Sequence, residues 1–309
     1  MSKKMIACGG SPLNTYKNYL LSKGFSIATS ESYNKSLLQY IVWAECNQIE
    51  AEQSTYNEVV GYVQHLKNKG VKQRTAQLNI TSLKHYFNWL VKRDLRNDNP
   101  TLNINIKGIK RRKLYNIISK PILEKIYHDY EVEQLKSKEN QNIAKRNKII
   151  LGLIIYQGLG TLELNRLELI DVKLREGKIY IKQSRRSNAR TLKLEAHQIL
   201  DFMEYTLKIR AELLAENNKE TDLLFISKGT GSHLQNAIQK LLQKLKKKHK
   251  EIESIKQIRA SVITNWLRNY NLREAQYMAG HRYVSSTESY LINDLEDLQE
   301  EVCKYHPIN

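Results

Sequence analysis

The sequence predicts a mainly helical fold of two domains, in which the second domain also contains a small β-hairpin. The chain has 309 residues, which is more than one typical domain needs. Its 4 prolines and 13 glycines are too few for a protein rich in loops or built from many short strands. Apolar residues also recur at intervals of three and four along both halves, and this spacing is typical of amphipathic helices.

The first predicted domain is a bundle of four helices over residues 11–95. Ser11-Pro12 is a typical helix start and Gly24 a typical helix end, so they delimit the first helix. Three further apolar stripes predict the other helices, at residues 33–44, 56–66 and 78–91.

A linker over residues 96–118 is predicted next, because Pro100 forces the residue before it out of helical geometry. It carries five cations within seven residues, namely Lys107, Lys110, Arg111, Arg112 and Lys113. Such a run fits either a solvated linker or a strap between two domains that tracks phosphates, and the net charge of +18 favours the strap.

The second predicted domain, residues 119–309, is mixed α/β and begins with another Ser-x-Pro pattern. Its apolar stripes predict helices at residues 122–135, 143–157, 196–214 and 232–250. Alternation of apolar and polar residues predicts two strands, 177–181 and 190–194, joined by a polar turn. The lysine-rich helix at 232–250 could lie on a membrane surface, but its place between core-forming helices favours a wall facing nucleic acid.

Charge narrows the class of partner. The 50 Lys and Arg against 32 Asp and Glu give a net charge of +18, which points to a polyanion such as nucleic acid or anionic lipid. The longest apolar run, residues 149–156, is too short to span a bilayer, and the N-terminus lacks a secretory pattern. We therefore expect a cytoplasmic protein.

Cys8, Cys46 and Cys303 have no metal-binding spacing, so neither a structural metal nor disulfides are expected.

Short motifs near the C-terminus carry the strongest functional signal. Lys256 and Arg259 are followed by Gly280-His281 and then by Thr287 and Tyr290. Upstream, a Gly-Leu-x-x-x-Glu-Leu segment spans residues 158–164, and an Arg-x-Leu-x-Leu segment closes the hairpin. In this order the motifs resemble the signature of the tyrosine recombinase (phage integrase) family, over residues 11 to 300. The N-terminal bundle resembles that family's core-binding domain.

The resemblance implies a reaction and a set of site residues. In the family, a tyrosine hydroxyl attacks a DNA phosphodiester and forms a 3′-phosphotyrosyl link, without a metal or other cofactor. Carried over, Tyr290 is the nucleophile, Arg259 binds the scissile phosphate and His281 donates a hydrogen bond to it. Lys256 stands where the family usually has a histidine. Arg74, at the start of the fourth helix, falls in a region that faces DNA in the family.

Two positions depart from the family pattern. Gly160 stands where the family has its first arginine, and losing one preorganised charge typically costs about 3 kcal/mol, or roughly a hundredfold in rate. We expect this to slow the enzyme without abolishing activity. The hairpin position that holds the family's lysine is Arg185, which hardly releases a proton, so either Arg185 acts through its charge or Lys182 replaces it.

Two functions are therefore expected, in order of preference. The first is a site-specific DNA recombinase, an integrase or resolvase of a mobile element. The second is an accessory or regulatory DNA-binding protein that keeps the fold and has lost strand transfer. The resemblance further implies double-stranded DNA as partner and a homotetramer on paired sites, formed by exchange of a C-terminal helix that carries Leu295, Leu298 and Val302. The alternative for this helix is that it only closes its own domain. An accessory DNA-binding protein is left open as a further partner.

Overall fold

The computed structural model describes residues 12–108, 115–130, 132, 137–227 and 234–291. The chain divides into two units, residues 1–113 and 114–309. Several residues singled out in the sequence lie outside the described ranges, namely Cys8, Lys110, Arg111, Arg112, Lys113, Leu295, Leu298, Val302 and Cys303.

The first unit is the expected bundle of four helices. They are α1 (Pro12–Ser22), α2 (Ile27–Cys46), α3 (Tyr56–Asn68) and α4 (Gln73–Lys92). Local sequence sets their ends: Ser26 caps α2 through its hydroxyl, and Thr55 with Glu58 forms a capping box on α3. Gly24 and Gly70 follow α1 and α3 with φ of +80° and +69°, a conformation that favours glycine.

Aromatic side chains fill the core of this bundle. Tyr16, Tyr40 and Phe87 are fully buried. The two phenols keep partners inside: Tyr16 donates to the carbonyl of Ser82 at 3.1 Å, and Tyr40 donates to Oγ of Ser54 at 2.6 Å. Buried polar groups with partners avoid much of the cost of desolvation, so the hydroxyls of Tyr16 and Tyr40 are accommodated in the core. The buried hydroxyl of Tyr62 has no hydrogen-bond partner among the described residues.

The second unit is mixed α/β. Its helices are α5 (Lys120–His128), α6 (Lys138–Ile155), α7 (Thr161–Leu164), α8 (Ala196–Glu204), α9 (Arg210–Glu216), α10 (Gln235–Lys248), α11 (Ile255–Asn269), α12 (Leu272–Ala279) and α13 (Val284–Glu288). Helix α6 contains the longest apolar run, and its residues 149–155 are all buried. Within the described ranges, no helix combines the length and the apolar character needed to cross a membrane.

A three-stranded antiparallel sheet, in the order β1-β2-β3, lies beside these helices. Its strands are β1 (Val172–Lys173), β2 (Lys178–Ile181) and β3 (Arg190–Lys193). The β2–β3 hairpin pairs Ile181 with Arg190, so Arg190 is the first residue of the returning strand. The sequence predicts this hairpin but not β1, because two residues are too few to show alternation.

The predicted helix at 196–214 is interrupted. A π-helical turn, Tyr205–Ile209, separates α8 from α9. Tyr205 and Ile209 are both buried, and the hydroxyl of Tyr205 donates to the carbonyl of Leu224 at 2.9 Å. Apolar spacing cannot show this turn, because one extra residue changes the helical period only slightly.

Candidate active site

The Glu163 carboxylate joins three elements of the second unit. Nη1 of Arg190, on β3, donates to Oε1 of Glu163 at 2.7 Å, and Nη1 of Arg259, on α11, donates to Oε2 at 2.7 Å. Burial alone would raise the pKa of Glu163, but the two guanidinium groups outweigh it and hold that pKa below its usual range. Glu163 is therefore an anion between two cations.

The Arg259 guanidinium is fixed by two further bonds. Nη1 also donates to the carbonyl of Gly158 at 2.6 Å, and Nη2 donates to the carbonyl of Ala279 at 2.7 Å. Gly158 has φ of +59°, and a Cβ there would lie 3.1 Å from the Trp266 ring. The side chain of Arg259 remains 17% exposed, so it is only partly buried even though its guanidinium is held by three acceptors.

Gly160 opens directly onto this carboxylate and guanidinium. Its backbone N–H donates to Oε2 of Glu163 at 2.9 Å, and its φ of −88° and ψ of 162° suit any residue. A Cβ at this position would lie 3.6 Å from Oε2 of Glu163 and 3.9 Å from Nη1 of Arg259. These are ordinary van der Waals distances, so the position that lacks a side chain has room for one.

His281 and Tyr290 lie on either side of the short helix α13. Nδ1 of His281 is 2.9 Å from Oγ1 of Thr287, and the imidazole stacks on the Tyr290 ring with centroids 5.7 Å apart and planes 10° apart. Burial lowers the pKa of His281 to about 4, and the charges of Arg259 and Arg190 act in the same direction. His281 is therefore neutral at pH 7.

Tyr290 is held as a neutral phenol. Burial raises its pKa, which outweighs the opposing effect of Arg259 and is reinforced by Tyr115. Because both ring groups interact electrostatically with Arg259, the guanidinium, the imidazole and the phenol belong to one centre.

The hairpin loop contacts the same centre. The N–H of Asn188 donates to the carbonyl of Gly280 at 2.9 Å, and Ser187 forms an isolated antiparallel bridge with His281. Lys182 instead pairs with Glu168 at 2.5 Å and Asp171 at 3.8 Å. Its hydrogen bond to Glu168 raises its pKa. Lys182 is thus held by the carboxylates of Glu168 and Asp171, whereas Arg185 is exposed in the hairpin loop.

Two family descriptions match this chain. The phage integrase family matches residues 124–296, and the N-terminal SAM-like domain of phage integrases matches residues 13–94. The chain belongs to the phage integrase family. Its members are tyrosine recombinases, as the names of its relatives state. The tyrosine recombinase XerD of Oceanobacillus iheyensis is 26% identical over 292 residues, covering 93% of this chain and 95% of the relative.

Another relative and two solved structures support the same family and fold. The tyrosine recombinase XerC of Psychromonas ingrahamii is 26% identical over 300 residues, with 96% of both chains covered. The XerH recombinase in a post-cleavage complex with difH substrate superposes with a TM-score of 0.69 at 19% identity, over 96% of this chain and 84% of that one. A λ integrase dimer bound to a core site superposes with a TM-score of 0.62 at 14% identity, over 90% of this chain and 75% of that one. The fold is that of the tyrosine recombinases.

The remaining residues predicted for this family member are placed as follows. Lys256 is exposed on α11, one turn before Arg259. In the first unit, Arg74 is exposed in the first turn of α4, and Lys107 is exposed beyond that helix. The described residues contain no group of three or more His, Cys, Asp or Glu side chains placed to hold a metal ion.

Sequence reasoning gave no role to three residues of this centre: Glu163, Arg190 and Thr287. Thr287 is fully buried, and its hydroxyl is the described partner of His281. The sequence pattern could have indicated that Arg190 is buried. Arg190 occupies an inward-facing position of a strand whose other inward residue is Leu192. A charged residue at such a position requires a buried partner of opposite charge.

The contact between Gly280 and Arg190 gives a first prediction, on stability. Gly280 has φ of +70°, and a Cβ there would lie 2.3 Å from Nη1 of Arg190. Gly70 has nearly the same φ, +69°, but no described atom lies within 4 Å of its Cβ position. We expect Gly70→Ala to lower the free energy of unfolding by about 1 kcal/mol through backbone strain alone. Gly280→Ala should lower it by ~1–3 kcal/mol more through the added contact.

Denaturant unfolding of both variants measures this difference. Equal losses for Gly70→Ala and Gly280→Ala would show that the Arg190 guanidinium moves aside at no cost.

The buried imidazole gives a second prediction, on pH. Because the pKa of His281 is about 4 in the folded chain and 6.5 ordinarily, the unfolded chain takes up a proton first as pH falls. His281 therefore costs no stability at pH 7, and its contribution destabilises the fold progressively as pH drops from about 6.5 towards 4. NMR titration of the histidine rings checks this, with His281→Asn used to assign the signal. A His281 signal that titrates near 6.5 would contradict the prediction.

Proposed function

We propose that this chain is a site-specific DNA recombinase of a mobile element, with Tyr290 as its nucleophile. The observation that carries the proposal is the stacking of His281 on Tyr290 beside a guanidinium fixed by Glu163. A protein that only binds DNA does not need an imidazole, a phenol and an arginine brought together by three consecutive helices.

The proposed first step is attack on a DNA phosphodiester. A bond forms between Oη of Tyr290 and phosphorus as the phenolic proton passes to water, while the bond to the 5′ oxygen breaks. The 5′ oxygen takes a proton from water and leaves as a hydroxyl. Negative charge grows on the non-bridging oxygens, and Arg259 is already fixed where its guanidinium can bind them. Attack by the 5′-hydroxyl of another strand reverses the step and rejoins the DNA.

His281 acts as a neutral donor in this proposal. Nδ1 of His281 lies 2.9 Å from the hydroxyl of Thr287. We assign the hydroxyl as the donor, which leaves the imidazole proton on Nε2 to bond a phosphate oxygen. Lys256, which is exposed on α11, adds a hydrogen-bond donor on a flexible side chain that can reach the same phosphate. Arg185 stabilises the leaving oxygen through its charge, and water supplies the proton that an arginine does not release.

The proposed partner is double-stranded DNA. The net charge of +18 supports a polyanionic partner, and the solved XerH and λ integrase structures are complexes with their DNA sites. In the first unit we assign phosphate contacts to Arg74 and Lys107, and in the linker to Lys110, Arg111, Arg112 and Lys113. These contacts would position the duplex without reading its sequence.

We further propose a homotetramer on paired sites, formed by exchange of the C-terminal segment. The apolar stripe of Leu295, Leu298 and Val302 supports this assembly, because its helical spacing in the sequence predicts an amphipathic helix that needs an apolar surface to pack against. An accessory DNA-binding protein remains a further proposed partner.

Gly160 favours one alternative function. A centre without the family's first arginine fits an accessory or regulatory DNA-binding protein that no longer transfers strands. The two functions differ in whether a covalent link to DNA forms.

A covalent trap tests the choice between them. A library of nicked duplexes with randomised arms lets the 5′-hydroxyl diffuse away after cleavage, so a phosphotyrosyl link accumulates. We expect wild type and Tyr283→Phe, which alters an exposed tyrosine, to yield complexes that survive denaturing electrophoresis. Tyr290→Phe should yield none. Equal trapping by Tyr290→Phe would remove Tyr290 as nucleophile, and duplex binding without trapping by wild type would favour the accessory function.

Restoring the missing arginine is the next test. Because a Cβ at Gly160 meets only ordinary contacts, Gly160→Arg should place a second guanidinium beside Arg259. We expect first-strand cleavage to become about a hundredfold faster. Leu162→Arg is the matched control, since it adds the same charge on a side chain that is 75% exposed. The same acceleration by both variants would show that added charge, and not its position, changes the rate.

A further inference from the structure

Arg190 is a buried cation whose donors are largely unused. Its side chain is 0% exposed, and Nη1 bonds Glu163, but Nε and Nη2 have no hydrogen-bond partner among the residues that the structure describes. Each unpaired buried donor is normally costly, so a residue kept in this state requires an explanation beyond packing. The proposed roles of Tyr290, Arg259 and His281 do not explain it.

The charges at the centre give that explanation. Arg259 and Arg190 bind opposite oxygens of one carboxylate, so the three groups together carry a formal charge of +1. If Arg190 were neutral, Glu163 would cancel the charge of Arg259, and an incoming phosphate would meet a neutral pair. The field of Arg190 does reach the neighbouring groups, because its charge acts on His281 together with that of Arg259.

The hairpin and the Gly280 turn hold Arg190 in this position. Strand β3 starts at Arg190, and the loop before it is bound through Asn188 to the carbonyl of Gly280. Gly280 has no side chain, which leaves the space that Nη1 occupies. The guanidinium is thus sealed beneath the turn that carries His281, where it cannot touch DNA directly but can act through Glu163.

We propose that Arg190 is a positioning residue that supplies the second positive charge of the phosphate site, by occupying Glu163 so that Arg259 remains a net cation towards DNA. This inference rests on the proposed function. It gives a chain with glycine at position 160 a second guanidinium whose charge is felt at the scissile phosphate. The competing explanation is a buried ion pair that only stabilises the fold.

Changing the charge of the phosphate separates the two explanations. The substrate is a nicked duplex recovered from the covalent trap, compared with the same duplex carrying an uncharged methylphosphonate at the scissile position. We expect Arg190→Gln to cleave the ordinary phosphate about tenfold more slowly than wild type and the methylphosphonate at nearly the wild-type rate. Arg190→Lys, which keeps the charge, should recover most of the loss.

The control is Arg210→Gln, which alters another buried arginine of the same unit. Arg210 donates to the backbone carbonyls of Thr221 and Leu223, outside the catalytic centre. We expect Arg210→Gln to slow cleavage of the ordinary and the methylphosphonate substrates by the same factor. Any loss of folded protein affects both substrates equally, so the ratio of their rates is independent of folding. If Arg190→Gln also slows both substrates equally, the proposal is overturned and the ion pair is structural.

A second measurement needs no DNA. Because the charge of Arg190 lowers the pKa of His281, Arg190→Gln should raise that pKa above about 4, whereas Arg190→Lys should leave it low. NMR titration reads this in the free protein. If wild type traps no DNA, the recombinase function fails while this titration still decides whether Arg190 acts on the centre. An unchanged His281 pKa in Arg190→Gln would overturn the inference.

Discussion

The buried carboxylate of Glu163 is the interaction on which the catalytic unit depends. It accepts hydrogen bonds from the N–H of Gly160, from Arg190 and from Arg259, and so ties α7, β3 and α11 to one point. A largely buried anion is costly unless it is paired and hydrogen-bonded, and so is the fully buried guanidinium of Arg190. Glu163 and Arg190 are tolerated because they pair with each other, and Glu163 also pairs with the partly buried Arg259.

Glycines near this ionic centre follow from the same constraint. Gly158 offers its carbonyl to Arg259 in a left-handed conformation, close against the Trp266 ring. Gly280 ends α12 in the same conformation and leaves room for the Arg190 guanidinium. The chain can therefore approach the two arginines closely, and the turn at Gly280 carries His281 to within stacking distance of Tyr290. Backbone freedom at two positions determines where the imidazole lies.

Local patterns were enough to predict most of the fold. Apolar spacing, Ser-Pro starts and glycine ends predicted the four-helix bundle and the hairpin, because these signals lie within one element. Sequence patterns did not predict the strand β1 or the π turn at Tyr205–Ile209. Two residues are too few to show alternation, and one inserted residue barely changes a helical period. At the site, the motif order singled out Arg259, His281 and Tyr290. The pairing of Glu163 with Arg190 joins residues that no local spacing relates, so only the folded chain shows it.

The number of cations in this chain therefore says little about the field at its reacting atoms. The 50 lysines and arginines set the net charge, but charges at the surface act on one another only weakly because salt screens them. The charges of Arg190, Glu163 and Arg259 lie in a poorly solvated interior, where each acts strongly on its neighbours and on His281. Glycine at position 160 adds no side-chain charge to this interior. It leaves the sign of the charge there to the balance of two arginines against one glutamate.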